Sequence, residues 1–170
     1  MDCELQRTIK KKRISKDKDY DIDLLVSIHD ADGLDNPTRY PSIKARIYRV
    51  VFWVHPNDAY ATDVVAGLPN PAWNIMKHII KLDQSKNFRF LFVEVLRAGP
   101  PGFAPDPGTS TGMTLVGRVR IPLPKVSEQK GGRYGLVRLE GDGYRAEGHI
   151  SVTLEMIKKE KKKMKEDHYV

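Results

Sequence analysis

The sequence predicts an all-β fold, an antiparallel β-sandwich of about eight strands. Several segments alternate apolar and polar residues with the period of two that turns one face of a strand toward a core. The 11 prolines and 13 glycines of the 170-residue chain interrupt these segments at short intervals. No internal segment shows the apolar stripe of a packed helix. Short strands separated by turns are typical of sandwiches.

The first predicted strand begins at Tyr20, after a basic segment, residues 1–19, that we expect to be a flexible tail. Four apolar residues alternate along this strand: Ile22, Leu24, Val26 and Ile28. Asp30, Asp32 and Gly33 then favour a turn, because aspartate and glycine tolerate turn dihedrals.

The second predicted strand is "KARIYRVVFWV", residues 44–54, rich in β-branched and aromatic residues. One face would carry Lys44, Arg46, Tyr48, Val50 and Phe52, and the other Ala45, Ile47, Arg49, Val51 and Trp53. The second face holds more of the expected core, and we expect Trp53 there. It also contains Arg49, which would either extend to the edge of the sandwich or adjoin a bulge. The sequence leaves these alternatives open.

The remaining strands follow the same pattern. "YATDVV" is a short strand, "MKHIIKL" should place Met76, His78, Ile80 and Leu82 on one side, and "NFRFLFVEVL" is apolar enough to be central. The segment "RAGPPGFAPDPGTSTG" is a long loop. Two further strands alternate clearly, one with Val119, Ile121 and Leu123 and one with Ile150, Val152, Leu154 and Met156. We expect the domain to cover residues 20–157, followed by a lysine-rich tail at 158–170 that is a frayed helix or disordered.

Composition restricts the function. The formal net charge of +7 favours acidic partners, namely anionic lipid, nucleic acid or an acidic protein. The single Cys3, the absence of a secretory signal and the absence of a long apolar run predict a cytoplasmic protein, peripheral at the plasma membrane, or a nuclear one. The five histidines are scattered and no nucleophile, phosphate-loop or zinc-protease motif occurs, so we expect no enzyme.

The order of "LLVSIHDADGL", "IYRVVFWV", "NPAWN", "FLFVEVL", "LVGRVRIPL" and "GHISVTLEM" resembles a C2 domain, especially the small plant proteins with a single C2 domain. The resemblance covers roughly residues 20–157. It implies an eight-stranded sandwich with three loops at one end, where aspartates of calcium-dependent members bind Ca²⁺ and anionic phospholipid. Some plant members are implicated in stress and defence signalling, and some phloem proteins are thought to carry RNA.

The calcium ligands implied by this resemblance are incomplete. Asp30, Asp32 and Asp35 could be ligands in the first loop, and Asp106 could supply one in the third. Arg46 or Tyr40 stands at the next ligand position, depending on the alignment, and Arg97, Ala98 and Gly99 replace the third-loop aspartates. Ca²⁺ needs six to eight oxygens. We therefore predict weak or absent calcium binding, no cofactor, and a turn role for the first-loop aspartates.

The leading interpretation is a calcium-independent module for an anionic membrane or a protein partner. The expected anion-binding residues are Lys44, Arg46, Arg97, Phe103, Lys158, Lys159, Lys161, Lys162 and Lys163. Phe103 would be an apolar anchor or would pack the loop onto the sandwich. RNA binding is the alternative, and it requires outward-facing aromatic residues among basic ones, with Tyr40, Tyr48, Phe52 and Trp53 as candidates. A calcium-dependent lipid-binding domain is a further alternative.

Overall fold

The computed structural model describes residues 20–67, 70–98 and 113–160, and the regular elements within these ranges are all strands. They are β1 (Tyr20–Asp32), β2 (Ile47–Trp53), β3 (Tyr60–Ala61), β4 (Val65–Ala66), β5 (Ala72–Leu82), β6 (Phe90–Ala98), β7 (Met113–Pro122), β8 (Gln129–Glu140) and β9 (Gly143–Glu160). No helix in the described ranges is long and apolar enough to cross a membrane.

The strands form one curled antiparallel sheet. Eight of them follow the order β3-β2-β6-β7-β8-β9-β1-β5, and β4 pairs with β2 beside this path. β7 and β8 are joined only by the pair Arg118 and Val137, so the sheet divides at this seam into two halves that enclose the core. The predicted antiparallel sandwich of about eight strands is confirmed.

The alternation of β1 is confirmed, since Leu24, Val26 and Ile28 are fully buried. β1 is not half-exposed, however. It lies between β9 and β5 in the sheet, and Asp23 and Ser27 on its other face are buried as well. The strand also continues through Asp32, which pairs with His149 of β9. The turn therefore begins after Asp32 and not at Asp30, where it was predicted.

The prediction that Trp53 lies in the core is wrong, because the other face of β2 is the buried one. Tyr48, Val50 and Phe52 are buried, whereas Trp53 is half-buried on the opposite face and stacks on Phe92. The buried face is the one whose tyrosine finds a hydrogen-bond partner inside the protein. A buried hydroxyl with a partner costs far less than one without.

The prediction for β5 is partly wrong. Ile80 is buried and His78 and Leu82 are half-buried, but Met76 is 64% exposed. Lys77 has a positive φ of 51°, and the register with β1 shifts near this point. Such a bulge reverses the alternation, so Trp73 and Ile75 face the core before it.

β9 also extends past the predicted domain boundary. It ends at Glu160, which pairs with Tyr20 at the start of β1. Lys158 and Lys159 therefore belong to the sheet and not to a tail, because backbone pairing to β1 orders them.

Candidate functional site

A buried charge cluster lies at the end of the sandwich where β1 stops, which we call the loop end. Its centre is Asp35, whose side chain is completely buried. Gly33 and Asp35, with φ values of 69° and 47°, turn the chain inward after β1. Aspartate adopts such a conformation more readily than most residues, so the backbone of Asp35 takes part in a turn as predicted. Its carboxylate, in contrast, binds other side chains.

Three side chains from three strands bind this carboxylate. Arg97 of β6 places Nη1 2.9 Å from both carboxylate oxygens. Arg138 of β8 donates from Nη1 to Oδ1 at 2.6 Å, and the Tyr48 hydroxyl of β2 donates to Oδ2 at 2.8 Å. A buried carboxylate is stable only when it is paired and hydrogen-bonded, and Asp35 satisfies both conditions.

A second carboxylate extends the cluster. The backbone N–H of Asp35 donates to Oε1 of Glu147 at 2.7 Å, and the same oxygen accepts a bond from Arg138 at 2.9 Å. Arg145 pairs with Glu147 and Glu140. Guanidinium groups thus hold both buried carboxylates of the cluster.

Close backbone approach brings Glu147 into position. Gly148 has a φ of 70°, and a Cβ built on it would stand 2.0 Å from the carbonyl oxygen of Asp32. Only glycine permits this approach of β9 to the end of β1. The neighbouring residue Glu147 is thereby placed beside Asp35.

Arg46 and Tyr40 close the cluster on its outer side. Arg46 is half-buried and donates from Nη1 to the carbonyl oxygen of Asp35. The centre of the Tyr40 ring lies 4.1 Å from the guanidinium carbon of Arg138 and 5.4 Å from that of Arg145. Cation–π contacts of this kind further fix the arginines.

The electrostatics follow from these contacts. Burial alone would raise the pKa of the Asp35 carboxyl, but hydrogen bonds from Arg138 and Arg97 and the charge of Arg97 outweigh it and hold the pKa below its usual range. Burial, followed by the charge of Asp35, raises the pKa of the Tyr48 hydroxyl. Asp35 is therefore ionised and Tyr48 is a neutral donor at neutral pH.

The three aspartates of the first loop do not converge. Asp35 faces the interior, Asp32 forms a two-point contact with Arg133 at 2.6 and 3.0 Å, and Asp30 is exposed and paired along the backbone with Ala72. Asp106 lies outside the described residues. Within the described ranges, no group of three or more histidine, cysteine or acidic side chains is placed to hold a metal ion.

The predicted anion-binding residues are divided between the two ends of the sandwich. Lys44, which is exposed, and Arg46 lie at the loop end, while Lys158 pairs with Ile22 at the other end of β1. β1 has 13 residues, and at about 3.3 Å each its ends are roughly 40 Å apart. The described members of the predicted set therefore do not form one patch.

Several of these residues have internal contacts. Arg97 is only 9% exposed and its guanidinium faces Asp35. Lys159 pairs with the buried Asp23 at 3.3 Å, and the ammonium of Lys158 lies 3.8 Å from the ring centre of Tyr20. Phe103 and Lys161, Lys162 and Lys163 lie outside the described residues.

A second feature, on the outer face of the sheet, was not predicted. Trp53, Phe92 and Arg120 form one row across β2, β6 and β7. The Trp53 and Phe92 rings stack with centroids 5.8 Å apart, and Arg118 lies near the ring of Tyr144, which is 68% exposed. We call this surface the aromatic–arginine face. A cleft of about 670 Å³ runs along it.

The sequence contains a signal for this face that was overlooked. Phe90, Phe92 and Glu94 lie on the same face of β6, while the alternating residues Leu91, Val93 and Val95 lie in the core. A prediction that placed the aliphatic residues of β6 in the core would therefore have placed both phenylalanines on the outer face.

Comparison with solved structures identifies the fold. A C2 domain of a plant extended synaptotagmin 1 matches 84% of this chain and 97% of its own at 19% identity, with a TM-score of 0.53. A C2 domain-containing protein from a putative elicitor-responsive gene matches 78% and 86% at 21% identity, with a TM-score of 0.50.

Human GIVD cytosolic phospholipase A2 matches 84% of this chain but only 17% of its own, at 14% identity and a TM-score of 0.57. No family model matches the sequence, and no curated protein matches it significantly. The chain has the fold of a C2 domain.

Proposed function

We propose that this C2-fold chain is a non-enzymatic, cofactor-free module that binds anionic phospholipid membranes without calcium. The observation that carries the proposal is the contact between Arg97 and Asp35. Arg97 stands where the resemblance places calcium-binding aspartates, and its charge neutralises the first-loop carboxylate that a dication would otherwise need to approach.

Coordination chemistry supports the calcium-independent part. A Ca²⁺ ion gains affinity from several carboxylates that are free to converge on it. Here Asp35 is bound by Arg97, Arg138 and Tyr48. A dication would have to displace the guanidinium groups of the buried Arg97 and the half-buried Arg138, and would meet their repulsion.

The membrane part draws on basic residues at the end opposite the loops, which we call the basal end. Tyr20 and Glu160 are paired there, so both lysine-rich terminal segments join the sandwich at this end. Lys86 and Arg89 are exposed nearby. Each basic residue close to an anionic leaflet contributes on the order of 1 kcal/mol, and several acting together would suffice for peripheral attachment at the plasma membrane.

Vesicle co-sedimentation tests this proposal. We expect binding to vesicles containing phosphatidylserine and none to neutral phosphatidylcholine vesicles. Truncation after Glu160 keeps β9 intact and removes Lys161, Lys162 and Lys163, so it should weaken binding. Equal binding to neutral and anionic vesicles would contradict an electrostatic mechanism.

A signalling role is part of the proposal. One similar structure comes from a putative elicitor-responsive gene, which agrees with a plant stress or defence context. Under this proposal a protein partner would be recruited at the membrane, and the aromatic–arginine face has the tryptophan, tyrosine and arginine content that dominates protein interfaces.

RNA binding is a second candidate, favoured by the same face. Of the predicted aromatic candidates, Tyr48 and Phe52 are in the core, but Trp53 points outward and stacks on Phe92. Bases stack on aromatic side chains while arginines contact phosphates. Fluorescence anisotropy with a single-stranded RNA should then show affinity that falls steeply with salt and is lost in Trp53→Ala. No affinity at low salt would eliminate this candidate.

A further inference from the structure

A groove of about 670 Å³ opens at the basal end. Side chains from β1, β5 and β9 and from the β5–β6 and β7–β8 connections line it. It lies at the end of the sandwich opposite the charge cluster, and we call it the basal groove. A volume in this range is typical of small-molecule sites.

The floor of the basal groove is apolar. Ile22, Leu82, Phe88 and Leu123 are half-buried against the core, and Met156 is only 5% exposed. Val126, at the margin, is 44% exposed. Apolar surface that remains open to water and is rimmed by polar groups is characteristic of a ligand groove.

The rim is cationic. Lys86, Arg89 and Lys158 line the groove, and Asp83 is the only carboxylate among the described residues that line it. Hydrogen bonds from Ser85 hold the pKa of the Asp83 carboxyl below its usual range, so this charge is already present at neutral pH. Three cations and one carboxylate leave the described rim with an excess of two positive charges.

The apolar floor and the cationic rim together fit an amphipathic anion. We propose that the basal groove binds a long-chain fatty acid, with the acyl chain along the floor and the carboxylate at the rim cations. An apolar chain gains affinity with each CH₂ that it buries, and the excess positive charge selects an ionised head group over a neutral one. A single acyl chain is also closer to a groove of this size than a two-chain phospholipid.

The experiment uses the full-length protein and soluble ligands below their micelle concentrations. Titration with fluorescent cis-parinaric acid should show saturable binding at one site, and dodecanoate should displace it at least tenfold better than dodecan-1-ol. Lys86→Gln combined with Arg89→Gln should weaken dodecanoate binding about tenfold. Val126→Trp changes an exposed position and should weaken it similarly by obstructing the groove.

The matched control removes the same charge elsewhere. Arg118→Gln combined with Arg120→Gln alters the aromatic–arginine face, whose cleft has the same volume, and should leave dodecanoate binding unchanged. Equal losses in the two double variants, equal displacement by the alcohol, or an unaffected Val126→Trp variant would overturn the proposal. Vesicle binding is measured separately, and Val126→Trp should retain it, so failure of the fatty-acid site and failure of membrane binding are distinguishable.

Discussion

Arg97 Nη1 lies 2.9 Å from both carboxylate oxygens of Asp35, although 62 residues separate the two in the sequence. The contact joins the end of β6 to the segment that follows β1, and it is buried. Under the proposed function, the arginine supplies from within the protein the positive charge that calcium would supply in a metal-dependent C2 domain.

Replacing Arg97 by alanine should lower the free energy of unfolding by about 3 kcal/mol, because removing one partner leaves a buried carboxylate with less compensation. Arg138 and Tyr48 still bind Asp35, which keeps the loss at the lower end of the usual range. Urea denaturation measures it. Arg133→Ala breaks the exposed pair with Asp32 and should change stability far less, because exposed ion pairs contribute little. Similar losses in both variants would contradict the assigned importance of the cluster.

Acid should weaken the cluster. The folded-state pKa of Asp35 lies below its ordinary value of 3.8, so its ionised form contributes stability above that value, and the contribution is lost as the pH falls through the folded-state pKa. The difference in unfolding free energy between the wild type and Asp35→Asn should be largest near pH 7 and shrink below about pH 4. A difference that stays constant down to about pH 2 would show that the carboxylate charge is not involved.

Gly148→Ala should be strongly destabilising, by about 3 kcal/mol, since the new Cβ would collide with the Asp32 carbonyl and the φ of 70° is unfavourable for alanine. Thermal denaturation measures the effect. Gly135→Ala is the control, because a Cβ there has no neighbour within 4 Å, and it should change stability by less than about 1 kcal/mol. If both variants melt together, the close approach of β9 to β1 is not required.

Calcium should leave the melting temperature unchanged. A site with a dissociation constant about one hundredth of the calcium concentration would stabilise the folded state by about 2.7 kcal/mol. Melting curves in millimolar Ca²⁺ and in chelator are expected to superimpose, with Mg²⁺ as the control for ionic strength. A shift specific to Ca²⁺ would mean that the first-loop aspartates bind the ion after all.

Much of the sheet could be predicted from local alternation. Leu24, Val26 and Ile28 of β1 and the buried residues of β9 from Ile150 to Met156 follow a period of two, which each segment reveals independently of its neighbours. The bulge at Lys77 could not be predicted, because a positive φ depends on how β5 meets β1. Trp53 was expected in the core because its face of β2 holds more apolar residues, but Phe92 offers it a stacking partner on the outer face.

Only some residues of the charge cluster could be predicted from the sequence. Arg46 and Arg97 could be recognised as departures from a metal-binding pattern, since they stand at positions where the resemblance implies ligands. Arg138 and Glu147 could not, because they reach Asp35 across about a hundred residues, and nothing in the local sequence around either one indicates the contact. Pairing of that kind is determined by the order of strands in the sheet.

Vesicle co-sedimentation in Ca²⁺ and in chelator distinguishes calcium-independent from calcium-dependent membrane binding. The full-length protein is mixed with phosphatidylserine-containing vesicles, and the bound fraction is compared between the two conditions at equal ionic strength. The buried pairing of Asp35 with Arg97 and Arg138 predicts the same bound fraction in both. Binding that appears only with Ca²⁺ would contradict it, because the ion would then be completing a site that the two arginines are proposed to occupy.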